Sequence, residues 1–447
     1  MASAHGTNPL PRLPRLPREP VHSVAGPLQQ FLHVEAASGV VLLLATLTAL
    51  VLANSPWSDS FLGIWDTRVG LTLGGFSLDG SLKHWINDGL MAVFFFVIGL
   101  EVKRELVLGE LNELRKATLP LVAALGGMLV PAGIYFALQR GQPGEPGWGI
   151  PMATDIAFVV GCMAVLGSRV PTGLRVMLLS LAIVDDIGAI LVIAVGYTEH
   201  IDTTALALGA GGIVLTLIMA KAGIRSIGVY TLMGILIWLA FHESGVHATI
   251  AGVILGLITP VRGWVDDELL HSTVKAADDA LDSGDASVSH YALARGVERA
   301  SRENLSPLVR IETSLHPWVG FAIMPVFALA NAGVPVSMDA IGEPVALAVL
   351  AGLLLGKPLG IVGFSWLATR TGLASLPENV SWAAVLGGSL LSGIGFTMAL
   401  FIAGLALGDD LLDTAKVGVL VASGLAAAAG MGVLIVALKP TSERAAE

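Results

Sequence analysis

Charged side chains are scarce in this chain. Lysine, arginine, aspartate and glutamate make up 13% of its 447 residues, whereas hydrophobic residues make up 54%. A soluble protein carries about a quarter charged residues, so the composition excludes an ordinary soluble domain. Long apolar runs recur between short polar gaps, and about 20 apolar residues cross the hydrocarbon core of a bilayer. The sequence therefore predicts an all-α polytopic membrane protein, because a barrel would show short alternating segments instead.

Other absences narrow the function further. The single cysteine, Cys162, excludes an internal disulfide. The N-terminal stretch PLPRLPRLPREP has no apolar core, so we expect a cytoplasmic tail rather than a cleavable signal peptide. The histidines of HESGVH (242–247) are five residues apart, which fails the spacing of the zinc motif HExxH. No pattern predicts a resident cofactor or a nucleic-acid partner.

Twelve spans follow from the apolar runs. Their approximate bounds are 31–53, 83–103, 118–138, 148–168, 174–196, 203–221, 225–241, 245–262, 315–335, 344–368, 381–406 and 414–438. If the N-terminus is cytoplasmic, most of the 25 lysines and arginines fall on the cytoplasmic side, as the positive-inside rule requires. We therefore predict a transmembrane domain over 31–438, with cytoplasmic tails at 1–30 and 439–447.

Two connections differ from the other short gaps. The segment at about 57–82 alternates apolar and polar residues around Gly74-Gly75, which predicts a small external β-hairpin or, as the alternative, a surface loop. Such a hairpin would be able to join two copies of the chain as a dimer. The polar loop at about 263–310 separates eight spans from four. We expect a flexible or partly helical cytoplasmic connection there.

Ionisable residues inside the predicted spans are the strongest functional signal. Each costs about 2.5–3.5 kcal/mol at mid-membrane on insertion scales, so those that persist are functional candidates. They are Asp155 in the fourth span, Asp185 and Asp186 in the fifth, Lys357 in the tenth, and Asp88 nearer the outer end of the second.

Asp185 and Asp186 are adjacent, within LAIVDDIGAI (181–190). Consecutive helix residues point about 100° apart, so one carboxylate is able to line an aqueous cavity while the other faces a neighbouring helix. Burial and mutual repulsion both favour a protonated carboxyl group, and a small hard cation would compete with the proton for the same oxygens. Lys357 is the natural counter-charge, unless it extends to the membrane surface. The alternative for the aspartates is a structural pair bonded to neighbouring helices.

Two spans look interrupted. The polar pair Thr154-Asp155 breaks the fourth span, and Gly393 and Gly395 break the eleventh, unless these glycines only permit close packing. The ends of half-helices carry about half a unit of charge, which Asp155 would offset at N-termini and Lys357 at C-termini. The two spans run in opposite directions. Repeats formed by spans three to five and ten to twelve would therefore be inverted, which indicates a transport site at the midplane.

Eight longer motifs lie in order along the chain, from about residue 30 to 438. They are GLEVKREL (99–106), MATDIAF (152–158), LAIVDDIGAI (181–190), GVHATIAG (245–252), LHPWV (315–319), FALANAG (327–333), LLGKPLGI (354–361) and SGIGFTMALFIAG (392–404). They resemble the motifs of the NhaA family of bacterial sodium/proton antiporters. The resemblance implies an inner-membrane homodimer joined partly through the external hairpin, with spans four and eleven discontinuous and crossed. Inverted repeats are already known from this family, so they are not an independent prediction here.

The resemblance also implies a function and a set of residue roles. The protein would be a transporter and not an enzyme, exporting Na⁺ or Li⁺ in electrogenic exchange for protons and without a cofactor. Asp186 would be the essential carboxylate for cation and proton, and Asp185 would be its partner, ion-paired with Lys357. Thr154 and Asp155 would line the cation path.

Charged residues at the cytoplasmic mouth would regulate the response to pH. By the resemblance they are Glu101, Glu105, His247, Glu312 and His316. Glu101 and Glu105 are four residues apart, so they share a helix face and raise each other's proton affinity. For each of the five, a solvated interfacial charge or a structural histidine is the alternative. The chain departs from shorter members of the family by its long 263–310 loop, which adjoins this group.

Two other functions compete with antiport. An intramembrane aspartyl protease needs two facing aspartates, usually within a GxGD motif, which is absent. Adjacent Asp185 and Asp186 cannot face each other, although Asp155 and Asp186 can. A passive cation channel needs no proton-coupled pair, and Lys357 would oppose the flow of cations through it.

Overall fold

The computed structural model describes residues 35–73, 76–198, 201–224, 226–282, 289–335 and 338–438. Both predicted tails, 1–30 and 439–447, lie outside these residues.

Helices account for most of the described chain. In order they are α1 (Glu35–Ala53), α2 (Ser58–Asp66), α3 (Leu82–Val107), α4 (Leu114–Gln139), α5 (Ile156–Leu166), α6 (Thr172–Gly196), α7 (Thr203–Lys221), α8 (Ile227–Ser244), α9 (Thr249–Ile258), α10 (Asp267–Asp282), α11 (His290–Asn304), α12 (Pro307–Asn331), α13 (Met338–Gly342), α14 (Pro344–Arg370), α15 (Trp382–Leu391), α16 (Phe396–Ala406) and α17 (Asp409–Ala437). A 3₁₀-helix, Glu145–Met152, precedes α5. The long helices α3, α12 and α14 each contain one π-helical turn, at Ile86–Leu90, Val319–Ile323 and Gly352–Gly356.

Local sequence sets several of the helix ends. The side chain of Asp202 accepts hydrogen bonds from the backbone of Thr204 and Ala205 and so begins α7, as an N-cap residue does. The same N–H contacts hold the pKa of the exposed Asp202 carboxyl below its usual value. At the C-terminal end of α8, Gly245 takes a φ of +77°, a conformation that glycine adopts without steric cost.

Among the described residues, nine helices are long and apolar enough to cross a membrane. The number rises to eleven if two bent pairs, α1–α2 at 115° and α15–α16 at 48°, each count as one span. The predicted span at 245–262 is helical only over α9, which is 10 residues long, because Gly245 precedes it in a turn and Pro260 cannot continue it. The protein is a polytopic helical membrane protein.

A two-stranded antiparallel hairpin follows α2. Its strands are β1 (Arg68–Leu73) and β2 (Phe76–Ser81), and the turn between them lies outside the described residues. The indole Nε1 of Trp85, in the first turn of α3, donates a hydrogen bond to the carbonyl of Val69 at 2.7 Å. This bond fixes the hairpin to the start of α3.

The long polar connection at 263–310 contains two helices, α10 and α11, which pack against each other. Nδ2 of Asn304 donates to Oδ1 of Asp267 at 2.9 Å and lies 3.1 Å from the carbonyl oxygen of Val265. The end of α11 is thereby tied to the start of α10. Residues 283–288, between the two helices, lie outside the described part of the chain.

Helices α4 and α14 approach each other closely at Gly126 and Gly360. A Cβ atom built on Gly360 would lie 2.0 Å from the carbonyl oxygen of Gly126, and one on Gly126 would lie 2.3 Å from the carbonyl oxygen of Gly360. Small residues permit such an approach in membrane helices. The contact holds the half of α14 that begins at Lys357 firmly against α4.

We expect Gly360→Ala to lower the thermal unfolding midpoint of the purified protein. Its added methyl group must push α14 away from α4, and overpacking costs about 1–3 kcal/mol. Gly363→Ala is the matched control, because a Cβ there meets no described atom within 4 Å. Equal midpoints for the two variants would contradict a structural role for the Gly126–Gly360 contact.

Candidate functional site

Both predicted interruptions coincide with non-helical residues, and the two meet. Residues 153–155 separate the 3₁₀-helix Glu145–Met152 from α5, and residues 392–395 separate α15 from α16. The backbone N–H of Asp155 donates to the carbonyl of Ile394 at 2.7 Å. The two breaks are therefore joined by a main-chain hydrogen bond.

Gly393 and Gly395 permit a close approach at the second break. A Cβ atom on Gly393 would lie 2.6 Å from the carbonyl oxygen of Leu353. One on Gly395 would lie 3.0 Å from Cδ2 of Leu353 and 3.3 Å from the carbonyl oxygen of Ala153. Neither glycine has a positive φ. The lack of a side chain, and not backbone freedom, lets the π-helical turn of α14 pack against the break.

The carboxylate of Asp155 bonds to the N-termini of both half-helices. Its Oδ1 accepts the N–H of Phe158, in the first turn of α5, at 3.3 Å. Its Oδ2 accepts the N–H of Thr397, in the first turn of α16, at 3.1 Å and also the hydroxyl of Thr397. Since each helix N-terminus carries about half a positive charge, one buried carboxylate offsets both ends.

Lys357 contacts Asp185 and Thr154. Its Nζ lies 2.5 Å from Oδ2 of Asp185 and 2.8 Å from Oγ1 of Thr154, and both charged side chains are fully buried. That Lys357 offsets helix C-termini stays a prediction. The carbonyl of Ser392, at the end of α15, lies 3.0 Å from the hydroxyl of Thr154.

Asp186 points in a different direction from Asp185. It lines a cavity of about 530 Å³ together with Glu101, Thr154 and Asp155, and Asp185 is not among the described residues that line it. Oδ1 of Asp186 is buried without a hydrogen-bond partner among the described residues. A buried, unpartnered carboxylate oxygen is costly unless a proton or a cation binds it.

Four of the five residues predicted to regulate the response to pH line this same cavity. They are Glu101, Glu105, Glu312 and His316. The fifth, His247, lies apart from them, with its Nε2 3.0 Å from the carbonyl oxygen of Tyr197, directly after α6. The structure therefore groups four of the predicted residues and separates His247 from them.

Comparison with known proteins identifies the family. A family model described as "Na+/H+ antiporter 1" matches residues 29–434. The chain belongs to this antiporter family. The resemblance predicted from the eight motifs is thereby confirmed.

Curated relatives match almost end to end. The Na(+)/H(+) antiporter NhaA 2 of Acidiphilium cryptum is 55% identical over 418 residues, which cover 93% of this chain and 93% of that protein. The NhaA antiporter of Rhodopirellula baltica is 54% identical over 428 residues, or 95% of this chain and 97% of its own. That of Rhizobium meliloti is 54% identical over 425 residues, or 94% and 97%.

Arg104 was not predicted as a site residue in this member of the antiporter family. Its guanidinium group pairs with Glu312 and lies 3.6 Å from Glu105. Only 7% of the Glu312 side chain is exposed, so Arg104 supplies a counter-charge where α3 meets α12. The position of Arg104 between acidic residues in EVKRE was the available signal for an ion pair. Its partner Glu312 could not be identified from the sequence, because it lies 208 positions further along the chain.

Thr397 is the second residue that the sequence did not single out. Its hydroxyl and its backbone N–H both bond to Asp155, and it lines the cavity that contains Asp186. A threonine two positions after Gly395, where a half-helix begins, was the available signal. Polar residues at helix N-termini are, however, common without any role in transport.

We expect Lys357→Ala to destabilise this antiporter strongly. Asp185 would keep a buried charge without a counter-charge, and breaking a buried pair in this way costs about 3–5 kcal/mol. The unfolding midpoint of purified protein measures the loss. Because a proton on Asp185 removes the uncompensated charge, the loss should be largest at alkaline pH and smaller at acidic pH.

The control is the double variant Lys357→Ala/Asp185→Asn, which removes both charges and should recover part of the stability. A single variant that is as stable as the parent at alkaline pH would contradict a stabilising ion pair.

Proposed function

We propose that the protein is an electrogenic, pH-regulated antiporter that exports Na⁺ or Li⁺ in exchange for protons. The observation that carries this proposal is the contrast between two adjacent aspartates. Each aspartate has one buried oxygen without a partner among the described residues. Lys357 forms an ion pair with Asp185, whereas Asp186 has no ion pair among those residues and lines a cavity together with Thr154 and Asp155. Membership in the antiporter family and the names of the relatives support the same pair of ions.

Competition for Asp186 couples the two ions. A proton or a Na⁺ ion neutralises this carboxylate, but the two cannot occupy the same oxygens together. Small hard cations take oxygen ligands, and the Thr154 hydroxyl and the Asp155 carboxylate are further oxygen groups among the residues that line the same cavity. Binding of Na⁺ therefore requires release of the proton. Release of Na⁺ to the other side allows a proton to bind in turn.

Electrogenic exchange needs more than one proton for each sodium ion. Asp186 accounts for one, and the Asp185–Lys357 pair is the second group able to exchange a proton. If the cation draws Asp185 toward Asp186, Lys357 loses its counter-charge in a buried environment. In this proposal the Asp185–Lys357 pair then gives up a second proton as the cation binds.

Alternating access would use the two breaks. Residues 153–155 and 392–395 are not part of regular helices, so the half-helices are able to tilt about these points with few main-chain bonds broken. We propose twelve spans in all, with α9 within the eighth, and inverted repeats formed by spans three to five and ten to twelve. Such repeats place the exchange site at the midplane.

The membrane placement follows the distribution of basic residues. We propose a multi-pass protein of the bacterial inner membrane with both termini in the cytoplasm. The β1–β2 hairpin would then lie outside and join two copies as a homodimer. Glu101, Glu105, Glu312 and His316, with His247 more distant, would regulate activity by pH. We expect transport without a resident cofactor and without enzymatic activity.

Two alternative functions fit the geometry less well. A protease would need the carboxylate of Asp155 to face Asp186 across a shared water molecule, but that carboxylate already accepts hydrogen bonds from Phe158 and Thr397. A passive channel would place the ammonium group of Lys357 beside the cation path, where it repels the permeating ion.

Asp186→Asn should abolish exchange, because the amide neither takes up a proton nor carries the charge that binds Na⁺. The measurement is the collapse of an imposed pH gradient in everted membrane vesicles when NaCl or LiCl is added. Asp278→Asn removes an exposed carboxylate of α10 and should leave the collapse intact. Full collapse in the Asp186→Asn vesicles would refute the proposed site.

Arg104→Gln should move the pH profile of exchange to higher pH. Glu312 loses the counter-charge that favours its carboxylate form, so its deprotonation requires a higher pH. Lys103→Gln removes the same charge from the adjacent position and is the matched control. If both variants shifted the pH profile equally, the cause would be the change in net charge and not the loss of the Arg104–Glu312 pair.

A further inference from the structure

Three potential metal ligands converge at the hairpin end of α3. His84 and Asp88 are four residues apart on α3, and His242 lies in the last turn of α8. Nδ1 of His242 lies 3.4 Å from Oδ2 of Asp88, and Nε2 of His84 lies 3.9 Å from the same oxygen. One ligand atom from each residue lies within 4.8 Å of the other two. The described lining of the Asp186 cavity contains none of the three.

These separations are close to those of a transition-metal site. Zinc ligands lie about 2.0–2.1 Å from the ion in tetrahedral geometry, which places the ligand atoms about 3.3 Å from one another. The His242–Asp88 separation of 3.4 Å is already close to this value, whereas the 3.9 Å separation of His84 from Asp88 would have to shorten when an ion binds. Two imidazoles favour Zn²⁺, Ni²⁺ or Cu²⁺ over Na⁺, Mg²⁺ or Ca²⁺, which prefer oxygen ligands.

Neighbouring residues hold the ligands in position. The ring of Trp238 stacks on His242 with centroids 5.6 Å apart and an interplanar angle of 17°. Its indole N–H donates to the carbonyl of Asp88 at 3.1 Å. On the other side, a Cβ atom on Gly80 would lie 2.6 Å from Cδ2 of His84, so glycine leaves the space that this ring occupies. Outer residues that orient the ligands are typical of metal sites.

The cluster is accessible to solvent. The exposed fractions of the side chains are 42% for His84, 24% for Asp88 and 26% for His242. An ion is able to reach them from the hairpin side of the membrane, and water would complete its coordination. A hydrogen bond between His242 and Asp88 would explain why these two side chains lie close together. It does not explain why His84 approaches the same carboxylate oxygen.

We propose that His84, Asp88 and His242 bind a divalent first-row transition-metal ion, and that the bound ion clamps α3 to α8. Zn²⁺ is the representative ion. The site uses His242 of HESGVH, whose spacing fails the HExxH pattern. Its second histidine ligand is His84 on α3, and not His247 of the same motif. The site is separate from the proposed exchange site, so the two proposals stand or fall independently.

The test is titration of the purified full-length protein with Zn²⁺ alone, after removal of any histidine tag, by calorimetry and by metal analysis after dialysis. The parent should bind one Zn²⁺ per chain at this site. His84→Gln and His242→Gln should each weaken binding about tenfold or more. His271→Gln, which removes an exposed histidine of α10, and Asp186→Asn should bind Zn²⁺ as the parent does.

A second measurement uses the parent protein, so it does not depend on whether a variant folds. Zn²⁺ should raise the unfolding midpoint and protect His84 and His242 from a histidine-modifying reagent, whereas Mg²⁺ should do neither. The proposal is overturned if Zn²⁺ gives no protection, if the double variant His84→Gln/His242→Gln binds as the parent does, or if Asp186→Asn abolishes binding.

Discussion

A single buried carboxylate, that of Asp155, holds together the point where two broken helices meet. It accepts hydrogen bonds from the first turns of both α5 and α16, so one negative charge offsets two positive helix ends. Without it, both N-termini would lie uncompensated in an interior that screens charge weakly. The same contact sets the spacing between the breaks, and this spacing brings Thr154 within reach of Asp185 and Lys357.

Charge compensation then gives Asp185 and Asp186, which are chemically identical, different environments. Lys357 and Thr154 bond to Oδ2 of Asp185, whereas Asp186 lines the cavity and has no ion pair among the described residues. A lysine held by one aspartate cannot neutralise both. The remaining negative charge must be balanced by something that enters from the cavity, and a proton and a small cation are equivalent in this respect. This equivalence is the physical basis of the exchange that we propose for the site.

Helix α3 connects the two ends of the molecule. One end carries His84 and Asp88 next to the hairpin, and the other carries Arg104, which pairs with Glu312 on α12. Between them α3 packs tightly on α9, where a Cβ atom on Gly252 would lie 2.2 Å from the carbonyl oxygen of Ala92. Close backbone packing of this kind leaves little freedom for one helix to slide on the other. The two groups of charged residues are therefore joined by one helix that packs closely on α9.

The sequence by itself determined the membrane class, the two helix breaks and the unusual buried charges. Each of these depends on local properties: hydrophobic length, glycine and polar residues within a span, and the cost of an ionisable group in the membrane. It could not decide which aspartate faces the cavity, because a 100° separation fits either assignment. The packing of α14 against the breaks made that choice. Arg104 and Glu312, 208 positions apart, and the cluster of His84 with His242 became neighbours only through tertiary packing, which no local pattern encodes.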